Sequence, residues 1–160
     1  MGIKPIKRNE NIVPISREHH ATLLFCWKLR SGVKMGVAHE RICKYILWFR
    51  EQHLNQHFKT EEELLFRDKN DPAIKKALDE HVLIRNQIEK LSDCKGDVDM
   101  QILALADSID KHTRYEEREL FPYIEEKFPE NELNEIGAAL HVDERSAAEE
   151  YKDEFWIKAK

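Results

Sequence analysis

The sequence predicts an all-α protein, an up-down-up-down four-helix bundle with a C-terminal helical extension, on three observations. Glycine and proline are scarce, five of each in 160 residues, where ordinary usage gives about nineteen together. Apolar residues recur at steps of three and four over long stretches, the period of a helix with one buried face. No stretch alternates with the period of two that a half-buried strand needs. The bundle is expected over residues 15–127, with an N-terminal arm at 1–14 and the extension at 128–160.

Ser16 is placed to cap a first helix running to about Lys34, and the stretch from Gly32 to Gly36 supplies a turn. A long second helix over about 38–67 carries Ile42, Ile46, Phe49, His53, His57, Glu61 and Leu64 on one stripe. Asp71-Pro72 joins a capping side chain to a first-turn proline and starts the third helix. Its stripe is Ile74, Ala77, His81, Ile84, Ile88 and Leu91. After a turn at Gly96, Ile102, Leu105, Ile109, His112, Glu116, Leu120 and Tyr123 mark the fourth, which Pro122 kinks or ends. Leu23, Trp27, Trp48, Phe49 and Leu105 are read as core. The segment from about 130, closing on Phe155-Trp156-Ile157, predicts an appended helix or two. Short connections between long helices favour antiparallel neighbours.

Composition excludes several function classes. A net charge of −5 lacks the basic footprint of a nucleic-acid binder. The longest apolar run, Leu23 to Trp27, falls far short of the roughly 18 residues of a membrane span. The N-terminal residues carry neither a signal-peptide core nor a myristoylation pattern. Cys26, Cys43 and Cys94 are odd in number and far apart, and they read as reduced packing thiols. A cytoplasmic protein is therefore expected, with no nucleic-acid or membrane partner.

The eight histidines matter because of where they fall. His57, His81 and His112 lie on stripes that should be buried, and His57 and His112 have Glu61 and Glu116 one turn later. A buried carboxylate is costly unless paired or bound to a cation. Composition alone yields about one His-x-x-x-Glu pair by chance, so the surroundings decide. Residues 57–66 and 112–121 both read His-x-x-x-Glu-Glu-x-x-Leu-Phe, 55 residues apart, and each follows a helix containing Glu-His, at Glu18-His19 and Glu80-His81. Two similar hairpins thus each offer one histidine from the first helix and His plus Glu from the second. Residues i and i+4 share a helical face, so each pair can ligate one site. Four imidazoles and two carboxylates suit two bridged iron ions, with zinc or manganese as alternatives. The Glu-x-x-His motif of ferritin-like proteins is absent.

Ser16-Arg-Glu-His-His20, His57-Phe-x-x-Glu-Glu, Glu80-His81 and His112-x-x-x-Glu-Glu-Arg-x-Leu-Phe-Pro122 together resemble the hemerythrin-like (HHE) domain family over about 15–127. The resemblance implies that His57 and a first-helix histidine hold one iron, that His81 and His112 hold the other, and that Glu61 and Glu116 bridge them. The first-helix ligand is His19 or His20. The echo of Glu80-His81 favours His19, whereas the apolar register, with Leu23 and Trp27 at +3 and +7, favours His20 and tips the reading. Oxygen-carrying relatives have a further histidine where this chain has Arg85, which cannot ligate; Arg85 either bonds a bridging glutamate or snorkels. His53 reads as a solvated or capping residue, with a partner to His57 or a reserve ligand as the alternative; Glu62 and Glu117 read as solvent-facing, or one of them as filling the vacant coordination position; His39 and His141 read as surface residues. The resemblance implies binding of dioxygen or another small diatomic for sensing, storage or redox handling. With no nicotinamide or flavin motif, oxidoreductase activity would need an external protein redox partner. The competing reading is an iron-responsive interaction module, in which metal occupancy orders the bundle.

Overall fold

Helices account for most of the residues described by this computed structural model, 7–142 and 151–158, the side chains of 141 and 142 excepted. Helix α1 is Val13–Lys34. Helix α2 covers 39–65 as α-helical His39–Phe49, a π-helical turn at Arg50–Leu54, α-helical Asn55–Thr60 and a second π-helical turn at Glu61–Leu65. Helix α3 is Pro72–Lys90. Helix α4 covers 99–127, with a π-helical turn at Glu116–Leu120 between Asp99–Tyr115 and Phe121–Lys127. Helix α5, Glu130–Val142, begins the extension. No strand occurs among the described residues. Helix α1 packs mainly along α4, and α3 also packs on α4.

Local chemistry sets most boundaries. Asp71 accepts the Ala73 N–H at 2.9 Å and Pro72 follows it, as expected for the start of α3. Gly36 and Gly96 adopt left-handed backbone, φ +68° and +74°, at the turns after α1 and α3. Two expectations fail. Ser16 is not a cap: α1 begins earlier, at Val13, with Pro14 in its first turn, and the Ser16 hydroxyl donates to Glu117. Pro122 does not end α4. The preceding π-helical turn leaves it in the first turn of the next α-helical stretch, where a missing N–H is tolerated.

The core divides into two apolar clusters with a polar layer between them. One cluster gathers Phe25, Leu29, Ile46, Phe49, Ile84, Ile88, Leu105 and Ile109. The other gathers Ile12, Ile15, Leu65, Ile74, Leu120 and Ile124, and α5 covers it with Leu133, Ile136 and Leu140. Along each of α1 to α4 the chain passes from one cluster to the other through a buried histidine. Phe49 and Leu105 are core as expected, but Trp48 is only half buried and Trp27 is 54% exposed. The described end of the extension is not helical. Residues 151–158 form turns, and the Phe155 ring packs over Gly32, where a Cβ would lie 2.8 Å from the ring. His141 lies outside the described side chains.

Among the described residues no helix is long and apolar enough to cross a membrane. The expectation of three reduced thiols is corrected for two of them. Folding brings Cys43 of α2 and Cys94 of the turn after α3 to a Cα separation of 6.2 Å, and they form a disulfide across 51 residues. Cys26 stays a buried free thiol, pushed up to about 12 by burial. Closing so long a loop restricts the unfolded chain, so Cys43→Ser is expected to cost about 2–4 kcal/mol. The check is a lower urea midpoint for the variant and for the reduced protein; equal midpoints would show that the bridge stabilises nothing.

Candidate metal centre

The polar layer consists of His19 from α1, His57 and Glu61 from α2, His81 from α3, and His112 and Glu116 from α4, all buried. Their reactive atoms converge. His19 Nε2 lies 3.0 Å from Glu116 Oε1 and 3.9 Å from Glu61 Oε2. His57 Nε2 and His81 Nε2 lie 3.4 and 3.2 Å from Glu61 Oε1. His112 Nε2 lies 3.2 Å from Glu116 Oε1 and 3.1 Å from His81 Nε2. Two groups able to hold a metal ion result, His19-His57-Glu61-Glu116 and Glu61-His81-His112-Glu116, each with donor atoms within 4.8 Å of one another. Both contain Glu61 and Glu116, the arrangement that two carboxylates bridging two cations require.

The helices are locally adapted to this centre. A π-helical turn begins at each shared glutamate, Glu61 and Glu116, and the carbonyl of Glu61 accepts from the Phe66 N–H five residues on. Such turns recur at functional sites because the extra residue re-aims side chains. Here both members of each Glu-Glu doublet are used. Glu61 and Glu116 sit at the centre, while Glu62 and Glu117 reach the outer nitrogens of histidines on the next helix.

Sequence reasoning missed this outer layer. His57 Nδ1 bonds Glu18 at 2.9 Å, His81 Nδ1 bonds Glu62 at 2.6 Å, His112 Nδ1 bonds Glu80 at 2.8 Å, and His19 Nδ1 bonds Glu117 at 2.6 Å. The bonds form a closed ring: α1 to α2, α2 to α3, α3 to α4, and α4 back to α1. A carboxylate on Nδ1 keeps the proton there and turns Nε2 inward as a donor to metal. The doublets Glu18-His19, Glu80-His81, Glu61-Glu62 and Glu116-Glu117 were the available signal, and the repeat contained all four. Glu62 and Glu117 are therefore not solvent-facing. Arg85 bonds Glu62, at 2.9 and 3.3 Å, rather than a shared glutamate.

The reading that favoured His20 is also corrected. His20 is exposed and His19 lies in the centre. The buried face of α1 runs through Ile15, His19, Thr22, Cys26 and Leu29, so Leu23 and Trp27 mark a boundary stripe and gave the wrong phase. His53 stacks on His57, with ring centroids 5.7 Å apart. His39 bonds Asp99 at 2.8 Å with Asp97 at 3.7 Å, far from the centre in sequence and partly exposed.

Charge explains why the layer calls for a cation. Both oxygens of Glu61 and Oε2 of Glu116 are buried without a hydrogen-bond partner, which costs about 1–3 kcal/mol for each such group. Burial, with the charge of Glu116 beside it, holds the Glu61 carboxyl well above the usual range. Burial opposes ionisation of Glu116 too, but His112 and His19 outweigh it and hold Glu116 ionised. Burial pulls His57 down, and it pulls His81 down to about 4. His19 and His112 resist burial through their carboxylates and are raised, His112 to about 9. The metal-free centre thus keeps protons where a cation would otherwise sit. Oxygen and imidazole donors of this number and spacing fit two divalent transition-metal ions.

The sign of the pH dependence follows. The raised His112 stabilises the metal-free fold fully below its ordinary 6.5, and that contribution is lost as pH rises through about 9. Metal uptake must expel the same protons from His19 and His112, so affinity rises over this window. Unfolding of chelator-treated protein at pH 6.5 and 9, beside metal titrations at both values, should give opposite slopes; parallel slopes would refute the protonation scheme.

The family model described as the hemerythrin HHE cation-binding domain matches residues 12–124. No curated protein and no solved structure is similar enough to count as a match.

Proposed function

The chain belongs to the hemerythrin HHE cation-binding domain family, and from that premise we propose that it holds two iron ions and binds dioxygen or a related diatomic for sensing, storage or redox handling. The observation that carries this reading is the pair of buried carboxylates, Glu61 and Glu116, with three unpartnered oxygens among four inward-facing imidazoles. His19 and His57 would hold one ion, His81 and His112 the other, and Glu61 and Glu116 both. When bound, two ferrous ions would supply the two electrons needed to reduce a diatomic. The protein supplies orientation and dryness. Glu18, Glu62, Glu80 and Glu117 fix each imidazole, and such outer partners raise ligand basicity. Phe58 stacks on His81 at a centroid distance of 3.8 Å, Phe66 lies 5.6 Å from the same ring, and Phe121 stacks on His19 at 5.4 Å. These rings exclude water from the histidines. Arg85, where oxygen carriers have a ligand histidine, leaves one position with a donor fewer. That favours redox handling over simple carriage, with electrons drawn from an external protein donor.

A second reading has an observation of its own. The centre separates two apolar clusters, so metal occupancy bears on both, as an iron-responsive module requires. Anaerobic loading with ferrous iron followed by air separates the two. Dioxygen chemistry predicts new near-ultraviolet and visible absorption with helicity unchanged. The module predicts loss of helicity on chelation and no oxygen-dependent spectrum. Glu61→Ala or Glu116→Ala should retain at most one equivalent of iron; two retained equivalents would refute the shared-carboxylate assignment.

A further inference from the structure

The two halves of the centre are alike in their inner donors and unlike in what lies behind them. Behind His81 and His112, each outer carboxylate is met by a cation: Arg85 holds Glu62 at 2.9 Å, and Lys76 holds Glu80 at 2.7 Å. Two carboxylates face two cations, and the charges balance. Behind His19 and His57 they do not. Arg8 holds Glu117 at 3.2 Å but is shared with Glu125 at 3.0 Å, while Glu18 meets the imidazole of His57 at 2.9 Å with His53 beside it. Among the described residues three carboxylates there, Glu18, Glu117 and Glu125, face one guanidinium, leaving two negative charges in surplus.

A cation entering the centre meets Glu61 and Glu116 in either half, so the inner donors do not discriminate. The outer charges do. They act through buried hydrogen-bonded imidazoles, where a unit charge counts for more than it does in water. A carboxylate tied to a cation also passes less electron density to its histidine, making that histidine the poorer donor.

Resting on the metal-centre reading, we propose that the two positions load in a fixed order, with the His19-His57 position filling first and tightly and the His81-His112 position second, because Arg85 and Lys76 oppose a cation there. Arg85 is a positioning residue of this second position, acting through Glu62. The later, looser position is then the one open to exchange, and it is also the one lacking a ligand histidine.

Two binding steps alone would not test this, since any second cation is repelled by the first. Variants identify which position owns which step. The metal-free full-length protein is titrated anaerobically with Co²⁺, followed by calorimetry and by the visible bands of the bound ion. Glu18→Gln, which keeps a hydrogen-bond acceptor but removes a charge, should weaken the first constant by about threefold or more and leave the second. Lys76→Gln with Arg85→Gln should tighten the second constant by about tenfold and leave the first. Arg85→Lys, which keeps the charge, should leave both constants near those of the parent. The order is overturned if Glu18→Gln moves only the second constant or if the double variant moves only the first. Failure to bind Co²⁺ at all would instead remove the metal-centre reading and this inference with it.

Discussion

Two carboxylates buried at the middle of a helical bundle are the constraint on which the rest of this structure depends. Glu61 and Glu116 are fully buried, at a depth where an unpaired charge is severely penalised. Four imidazoles surround them, and these in turn need partners for their outer nitrogens. Four further glutamates answer that need, and three of them are tied to Arg8, Lys76 or Arg85. The layers run outward in steps, from fully buried carboxyl groups to the part-exposed Lys76 and Arg85. A single pair of inward acids has thus organised eight further side chains on four helices.

The apolar residues serve this arrangement as much as they serve stability. Because the polar layer crosses each of α1 to α4 at the same height, the described residues form no continuous hydrophobic core; one cluster lies on each side. Each is closed by a piece of the extension, α5 on one side and Phe155 on the other. The described residues of the extension therefore cover the two apolar clusters, one on each side of the centre.

How much of this was legible beforehand varied with the kind of signal. Helix existence was legible, because period and turn chemistry are local: Asp71-Pro72 and Gly96 lie where they were expected. The inner donors were legible because histidine on an apolar stripe conflicts with its surroundings, and the duplicated window multiplied the conflict. The phase of α1 was not. Its part-buried Leu23 and exposed Trp27 shifted the apolar arc enough to tip the reading to His20, and only the packed helix puts His19 inside. The π-helical turns were illegible, since Glu-Glu-x-x-Leu-Phe reads as ordinary helix until the carboxylates need somewhere to go. So was the Cys43–Cys94 bridge, which depends on a meeting of elements distant in sequence.

The ring of outer bonds has a mechanical meaning beyond its support of the histidines. Glu18 to His57, Glu62 to His81, Glu80 to His112 and Glu117 to His19 place one bond at every junction around the bundle. A helix in such a loop cannot slide by a turn against one neighbour without breaking its bonds to two. Registration is then a property of the whole circuit, and the last helix to dock closes two junctions at once. Assembly therefore acquires its sharpest cooperativity at the level where a bound ion would sit, and a helix out of register there disturbs two junctions at once.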